Sequence, residues 1–157
     1  MTESRQHAAT PSVLLVEDEP ALRELITLLL EDLGAAVTAL PSADEGIAAL
    51  KLKPWALVIT DVRTPGVSTG LQLAWIARRD LPVTVVIVTS GYHPQINEAL
   101  PHGIRFLPKP WALEAFIEWF VLTSSTRLIS AQRRDDRVPR YCLANRGQQL
   151  LNRPRLE

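Results

Sequence analysis

The sequence predicts an α/β domain built on a doubly wound, five-stranded parallel sheet. Three observations carry that reading. Five short apolar runs, at residues 13–16, 36–40, 56–60, 83–88 and 104–108, alternate with segments of helical periodicity. The runs are apolar with little interruption, as expected of strands buried on both faces. Four of the five end on or beside a polar group: Glu17-Asp18, Asp61, Thr89 and Lys109. Right-handed crossovers bring the carboxyl ends of parallel strands to one edge, where such sheets bind ligands.

Taken in order, residues 1–11 are polar and end at Pro11, so a disordered lead is expected. After the first run, Pro20 stands where a first helical turn tolerates its missing N–H. Leu22, Leu25, Ile26, Leu29, Leu30 and Leu33 then recur at helical spacing, and Gly34 can end the helix in the left-handed conformation. Ser42-Ala43-Asp44-Glu45 reads as a capping box opening a helix over about 43–52. A Pro/Gly/Ser/Thr loop follows Asp61 and leads into a helix over 71–79. Run four is rich in β-branched residues. Pro94 and Pro101 confine any helix between runs four and five, so that fourth helix is expected to be short or irregular. Leu113, Phe116, Ile117, Phe120 and Val121 mark the last amphipathic helix. Trp55, Trp75, Trp111 and Trp119 are expected to pack, and His93 and His102 show no partner pattern.

A chain of 157 residues suits one domain of ordinary size. Up to Thr123 it carries 9 Lys/Arg against 14 Asp/Glu, and from Ser124 onward 8 Arg against 3 acids. An acidic body and a basic tail have different jobs. The tail (124–157) is too short for a usual DNA-binding output domain and shows no helix-turn-helix pattern. Disorder is expected there, and nucleic acid is not an expected partner. The lone Cys142 excludes an internal disulfide framework. No run approaches the length that spans a membrane, so no insertion is expected, and a cytoplasmic protein is the default reading.

Glu17, Asp18 and Asp61 would repel one another as three bare anions in a small crevice. Their hard oxygens suit Mg²⁺, which takes few protein ligands. An aspartate beside such an ion can act as a nucleophile and form an acyl phosphate, with Lys109 as a positive point charge and Thr89 as a hydroxyl donor.

Val13 through Pro20 (VLLVEDEP), Asp61 with Pro65 four residues on, Val88-Thr89-Ser90-Gly91, and Phe106-Leu107-Pro108-Lys109-Pro110 together resemble the receiver domain of bacterial two-component response regulators. The resemblance covers residues 12–123 and implies a flavodoxin-like sheet of order 2-1-3-4-5. It implies that Asp61 accepts phosphate from a sensor histidine kinase or histidine phosphotransfer protein. Glu17, Asp18, Asp61 and the backbone carbonyl of Arg63 would hold Mg²⁺, and Thr89 and Lys109 would contact the phosphoryl group. Phe106 would be the aromatic switch residue, the Lys109–Pro110 bond would be cis, and Arg63 and Gly91 would tune dephosphorylation.

There are departures from the pattern. Glu17 replaces the first Asp, Thr64 replaces a usual Met, and the stretch from Pro65 to Gly70 is one residue longer than usual. The stretch from Thr89 to Lys109 is about two residues shorter, which argues against the family's common mode of activated dimerisation and leaves the oligomeric state open. The expected protein is a stand-alone phosphorylation switch acting on a downstream protein, not an enzyme. The alternative is a phosphorylation-independent adaptor on the same fold. A phosphohydrolase is disfavoured because Asp61-Val62-Arg63 lacks the Asp-x-Asp pair such an enzyme would use.

Overall fold

The computed structural model describes residues 10–91 and 100–121, apart from 113, 115 and 119. The elements run β1 (Ser12–Val16), α1 (Pro20–Asp32), β2 (Ala36–Leu40), α2 (Ala43–Ala49), β3 (Leu57–Asp61), α3 (Gly70–Asp80), β4 (Val85–Ser90) and β5 (Ile104–Pro108). Residues 114, 116–118, 120 and 121 are again helical and form the closing helix. All strand pairs are parallel, in the order β2-β1-β3-β4-β5. The expected short or irregular helix before β5 falls at 92–99, and it lies outside the described residues with the lead to residue 9 and the tail from 122.

Strand side chains alternate between two separate cores, because successive residues of a strand point to opposite faces. Val13, Leu15, Leu57, Ile59, Ile87 and Leu107 pack with Ile26 and Leu30 of α1 and with Phe116 and Phe120 of the closing helix. Leu14, Val16, Val58, Val86 and Val88 pack with Ala43 and Ala49 of α2 and with Leu73, Ala74 and Ala77 of α3. That is why the strands read as unbroken apolar runs: each face has its own helical layer.

Pro20 opens α1, and Gly34 follows its C-cap at φ 88°, the left-handed position that a side chain resists. The buried stripe of α1 is narrower than its periodicity predicts. Ile26 and Leu30 are buried, whereas Leu25 is 51% exposed, as is its neighbour Leu28 at 59%. A helix lying on a sheet buries a narrow line of contact, and residues flanking it stay in solvent.

The Ser42 hydroxyl accepts the Glu45 N–H at 3.3 Å and starts α2, which ends at Ala49 rather than near 52. There the Trp55 indole N–H donates to the Ala49 carbonyl at 3.1 Å. A carbonyl at a helix end thereby gains a partner from a buried side chain. Thr69 and Gln72 form a full capping box at the start of α3, one residue ahead of the expected start. β4 begins at Val85, because residue 83 stands in solvent and Thr84 turns its hydroxyl onto the Trp55 carbonyl at 2.8 Å. Trp111 stacks on Phe116 with ring centroids 5.0 Å apart. Trp75 departs from the packing expectation and is 53% exposed on α3, while Trp119 lies outside the described residues.

Candidate functional site

The backbone ladder continues one residue past three strands and fixes the rim of a crevice. The Glu17 N–H donates to the Leu40 carbonyl at 3.1 Å, the Val62 N–H to Thr89 at 3.0 Å, and the Lys109 N–H to Ser90 at 2.7 Å. Asp61 and Thr89 are register partners on β3 and β4. Glu17, Asp61 and Thr89 are buried, and Asp18 is exposed at the mouth. Carboxylate oxygens of Glu17, Asp18 and Asp61 lie within 4.8 Å of one another.

Lys109 ties the crevice together. Its ammonium donates to Glu17 Oε2 at 2.8 Å and to Asp61 Oδ2 at 2.5 Å. The other Asp61 oxygen, Oδ1, accepts the Arg63 N–H at 3.2 Å. The Asp61 carboxylate is therefore held at both oxygens and cannot swing freely. Burial raises the Glu17 pKa, assisted by the Asp61 charge and opposed by Lys109. For Lys109 burial acts to lower the pKa, but the hydrogen bonds and charges of Asp61 and Glu17 outweigh it and raise it. The two shifts have different origins: burial prevails at Glu17, and the neighbouring carboxylates prevail at Lys109. The Lys109–Pro110 peptide is cis, as the resemblance implies.

Phe106 lies in β5 opposite Val88 and is partly buried against the α2/α3 core. Residue by residue, the structure brings Glu17, Asp18, Asp61 and Lys109 together, places Thr89 beside Asp61 in register, and sets Phe106 one strand position from Thr89's partner Leu107. Arg63 reaches the site through its backbone.

The lengthened loop after Asp61 is fastened to α2, which spacing alone does not reveal. Asp44 accepts the Val67 N–H at 2.9 Å and the Ser68 N–H at 3.0 Å, and the Thr64 hydroxyl accepts the Ala43 N–H at 3.0 Å. Gly66 has φ 109°, and a Cβ there would overlap the Asp44 carboxylate. Ser42-Ala43-Asp44-Glu45 does open a helix, but its aspartate serves this loop. Hydrogen bonds from the Ser68 side chain and then the Val67 backbone hold the Asp44 pKa below its ordinary value. A lowered carboxylate lends stability above its unfolded pKa of 3.8, and that stability is lost as pH falls through the native value. Asp44→Ala is expected to flatten the acid limb of a stability-against-pH curve as pH falls through and below 3.8, read by thermal melts. An unchanged limb would place that acid sensitivity on other carboxylates.

At its far end the loop meets a tight junction. The Gly70 N–H donates to the Val62 carbonyl at 3.0 Å, and a Cβ at Gly70 would overlap the Asp61 carbonyl and come within 2.6 Å of the Thr60 hydroxyl. The first turn of α3 thus abuts the backbone of the central acidic residue. Among the described residues no helix is long and apolar enough to cross a membrane.

Comparison with known proteins agrees with this architecture. The chain is 30% identical over 142 residues to the C4-dicarboxylate transport transcriptional regulatory protein DctD of Rhizobium meliloti, covering 89% of this chain and 28% of that protein. It is 36% identical over 111 residues to the response regulator protein FleR of Pseudomonas aeruginosa, covering 68% of this chain and 23% of that protein. The chain thus spans about a quarter of the length of these relatives. Among solved structures, a response regulator receiver protein from Sinorhizobium medicae superposes with a TM-score of 0.68 at 27% identity, covering 76% of this chain and 98% of that one. The model of the response regulator receiver domain matches residues 13–120, which take in the five strands but for Ser12 and every residue of the acidic crevice. By that match the chain belongs to the response regulator receiver family of two-component systems, whose members act in phosphoryl-accepting signalling.

Proposed function

We propose that Asp61 is the phosphoryl acceptor and that Mg²⁺ is held by Glu17, Asp18, Asp61 and the Arg63 backbone carbonyl. The observation that carries this reading is the Lys109 ammonium bonded to both Asp61 and Glu17 at the carboxyl edge of the sheet. The donor set fits the ion. Three ionised carboxylates against one ammonium leave two negative charges, which a divalent cation balances. All three side chains offer hard oxygen, the ligand type Mg²⁺ prefers. When bound, the ion neutralises charge on the incoming phosphoryl group and orients it.

The chain's own residues supply the rest. An Asp61 carboxylate oxygen attacks phosphorus while the bond from phosphorus to the donor nitrogen breaks, and the donor imidazole departs as the neutral base once protonated. The Arg63 N–H and Lys109 orient that carboxylate, and Lys109 carries positive charge to where the phosphoryl oxygens arrive. Thr89, in register beside Asp61, offers a hydroxyl to one of them, and Phe106 answers its movement as the switch. The phosphodonor is a sensor histidine kinase or a histidine phosphotransfer protein, for which Leu25 and Leu28 form an exposed apolar ridge on α1. The output is a changed surface read by a downstream protein. The protein is a switch, not an enzyme acting on other substrates.

Incubation with Mg²⁺ and acetyl phosphate, followed by intact-mass measurement, tests the proposal. One added phosphoryl group is expected, absent in Asp61→Asn and slow to form without metal. No adduct from acetyl phosphate or from a kinase would overturn the acceptor role and favour the phosphorylation-independent adaptor.

A further inference from the structure

Arg23 lies in the first turns of α1, outside the motifs that mark the site. Its Nη1 donates to the Glu17 carbonyl at 2.8 Å and to the Asp18 carbonyl at 3.3 Å. Those carbonyls lie between β1 and α1, and the first helical bond of α1 runs from the Arg23 N–H to Glu19 at 2.9 Å. Neither acidic residue's carbonyl therefore belongs to the helix, and the guanidinium serves both. Among the described residues Arg23 enters no ion pair. Its helix is anchored in the core by Ile26 and Leu30, so the guanidinium sits on a fixed support.

We infer that Arg23 is a positioning residue for the metal-binding acidic pair, fixing Glu17 and Asp18 through their backbone carbonyls; this rests on the Mg²⁺ reading above. The peptide units at Glu17 and Asp18 set where both carboxylates point. The Glu17 side chain is already held on the crevice side by Lys109 and by the Glu19 N–H at 3.4 Å. Asp18 is exposed, and among the described residues no hydrogen bond or ion pair restrains its side chain. Arg23 bonds the carbonyls on both sides of the Asp18 N–Cα–C segment and limits its rotation. Partners beyond the direct ligands commonly govern metal affinity in this way.

The sign of the effect separates positioning from simple charge. A guanidinium near a cation site repels the cation, so if charge alone mattered, removing it would tighten Mg²⁺ binding. If Arg23 positions the pair, removing it loosens binding. The test is calorimetric titration of the full chain with Mg²⁺, for the parent, Arg23→Ala and Arg23→Lys, with thermal melts to check folding. Arg23→Ala is expected to weaken Mg²⁺ binding on the order of 10-fold. Arg23→Lys keeps the charge but places its donors on a single nitrogen of a shorter side chain, and is expected to fall between the two. In acetyl phosphate assays, Arg23→Ala should need more Mg²⁺ for half-maximal uptake yet reach nearly the parent rate at saturation. Equal or tighter binding in Arg23→Ala would overturn the inference. Should the alanine variant fail to fold, Arg23→Lys decides: affinity equal to the parent's overturns positioning, and weaker affinity supports it. A parent that binds no Mg²⁺ would instead sink the metal reading itself.

Discussion

Lys109→Met is expected to separate metal binding from phosphoryl uptake. The ammonium offsets part of the charge on Glu17 and Asp61, two of the carboxylates proposed to hold the cation. Methionine keeps much of the side chain's length and apolar volume but removes that competitor. Mg²⁺ should then bind at least as tightly as in the parent. Its stabilising effect should also grow, because the ion relieves a repulsion that nothing else now offsets. Phosphoryl uptake moves the other way. With no positive charge to meet the phosphoryl oxygens, the rate from acetyl phosphate should fall on the order of 100-fold. Calorimetry and intact-mass time courses read the two quantities separately. Uptake close to the parent rate would remove Lys109 from the transfer step and leave it a structural counter-ion.

Gly70→Val should give the largest loss of stability. Gly70 lies so near the Asp61 backbone that any Cβ overlaps it, and backbone cannot yield as a side chain tip can. Either α3 lifts from its junction or β3 bends at Asp61. Overpacking of this kind costs about 3 kcal/mol, which in a domain this size lowers the Tm by roughly 10 °C. Gly34→Ala is the informative comparison. Gly34 has open space around its Cβ direction, and only its φ of 88° resists a side chain, so a cost near 1 kcal/mol is expected. The Gly70 variant should also lose phosphoryl uptake at temperatures where it stays folded, since the strain falls on Asp61. Equal Tm losses in the two variants would show that the junction relaxes without harm.

Much of this was legible in the sequence. Apolar runs ending in Glu17-Asp18, Asp61, Thr89 and Lys109 located five strands and one edge, because buried parallel strands need a continuous apolar pattern and right-handed connections align their ends. Pro20 and Gly34 bracketed α1 because each has one favoured place at a helix end. What was missed depends on contacts between distant segments. Periodicity marked Leu25 as a core position, but burial depends on how much of α1 the sheet and the closing helix cover. Trp75 was expected to pack because it is large and aromatic, yet nothing local reveals which side of α3 faces out. Asp44 read as part of a cap, and its grip on Val67 and Ser68, more than twenty positions on, has no local signal. Arg23 carried no motif at all, since its partners are backbone carbonyls that every residue has.

The loop from Pro65 to Thr69 has a further meaning. It is fastened to α2 through Asp44 and Thr64, and it ends at a helix start that Gly70 locks against Asp61. Its middle is pinned as firmly as its ends, so residues inserted there would have to displace the turn at Gly66 to Ser68 from Asp44. The segment is therefore a strut between α2 and the start of α3, and a sequence grafted into it would give up the Asp44 bonds while leaving the Gly70 junction in place.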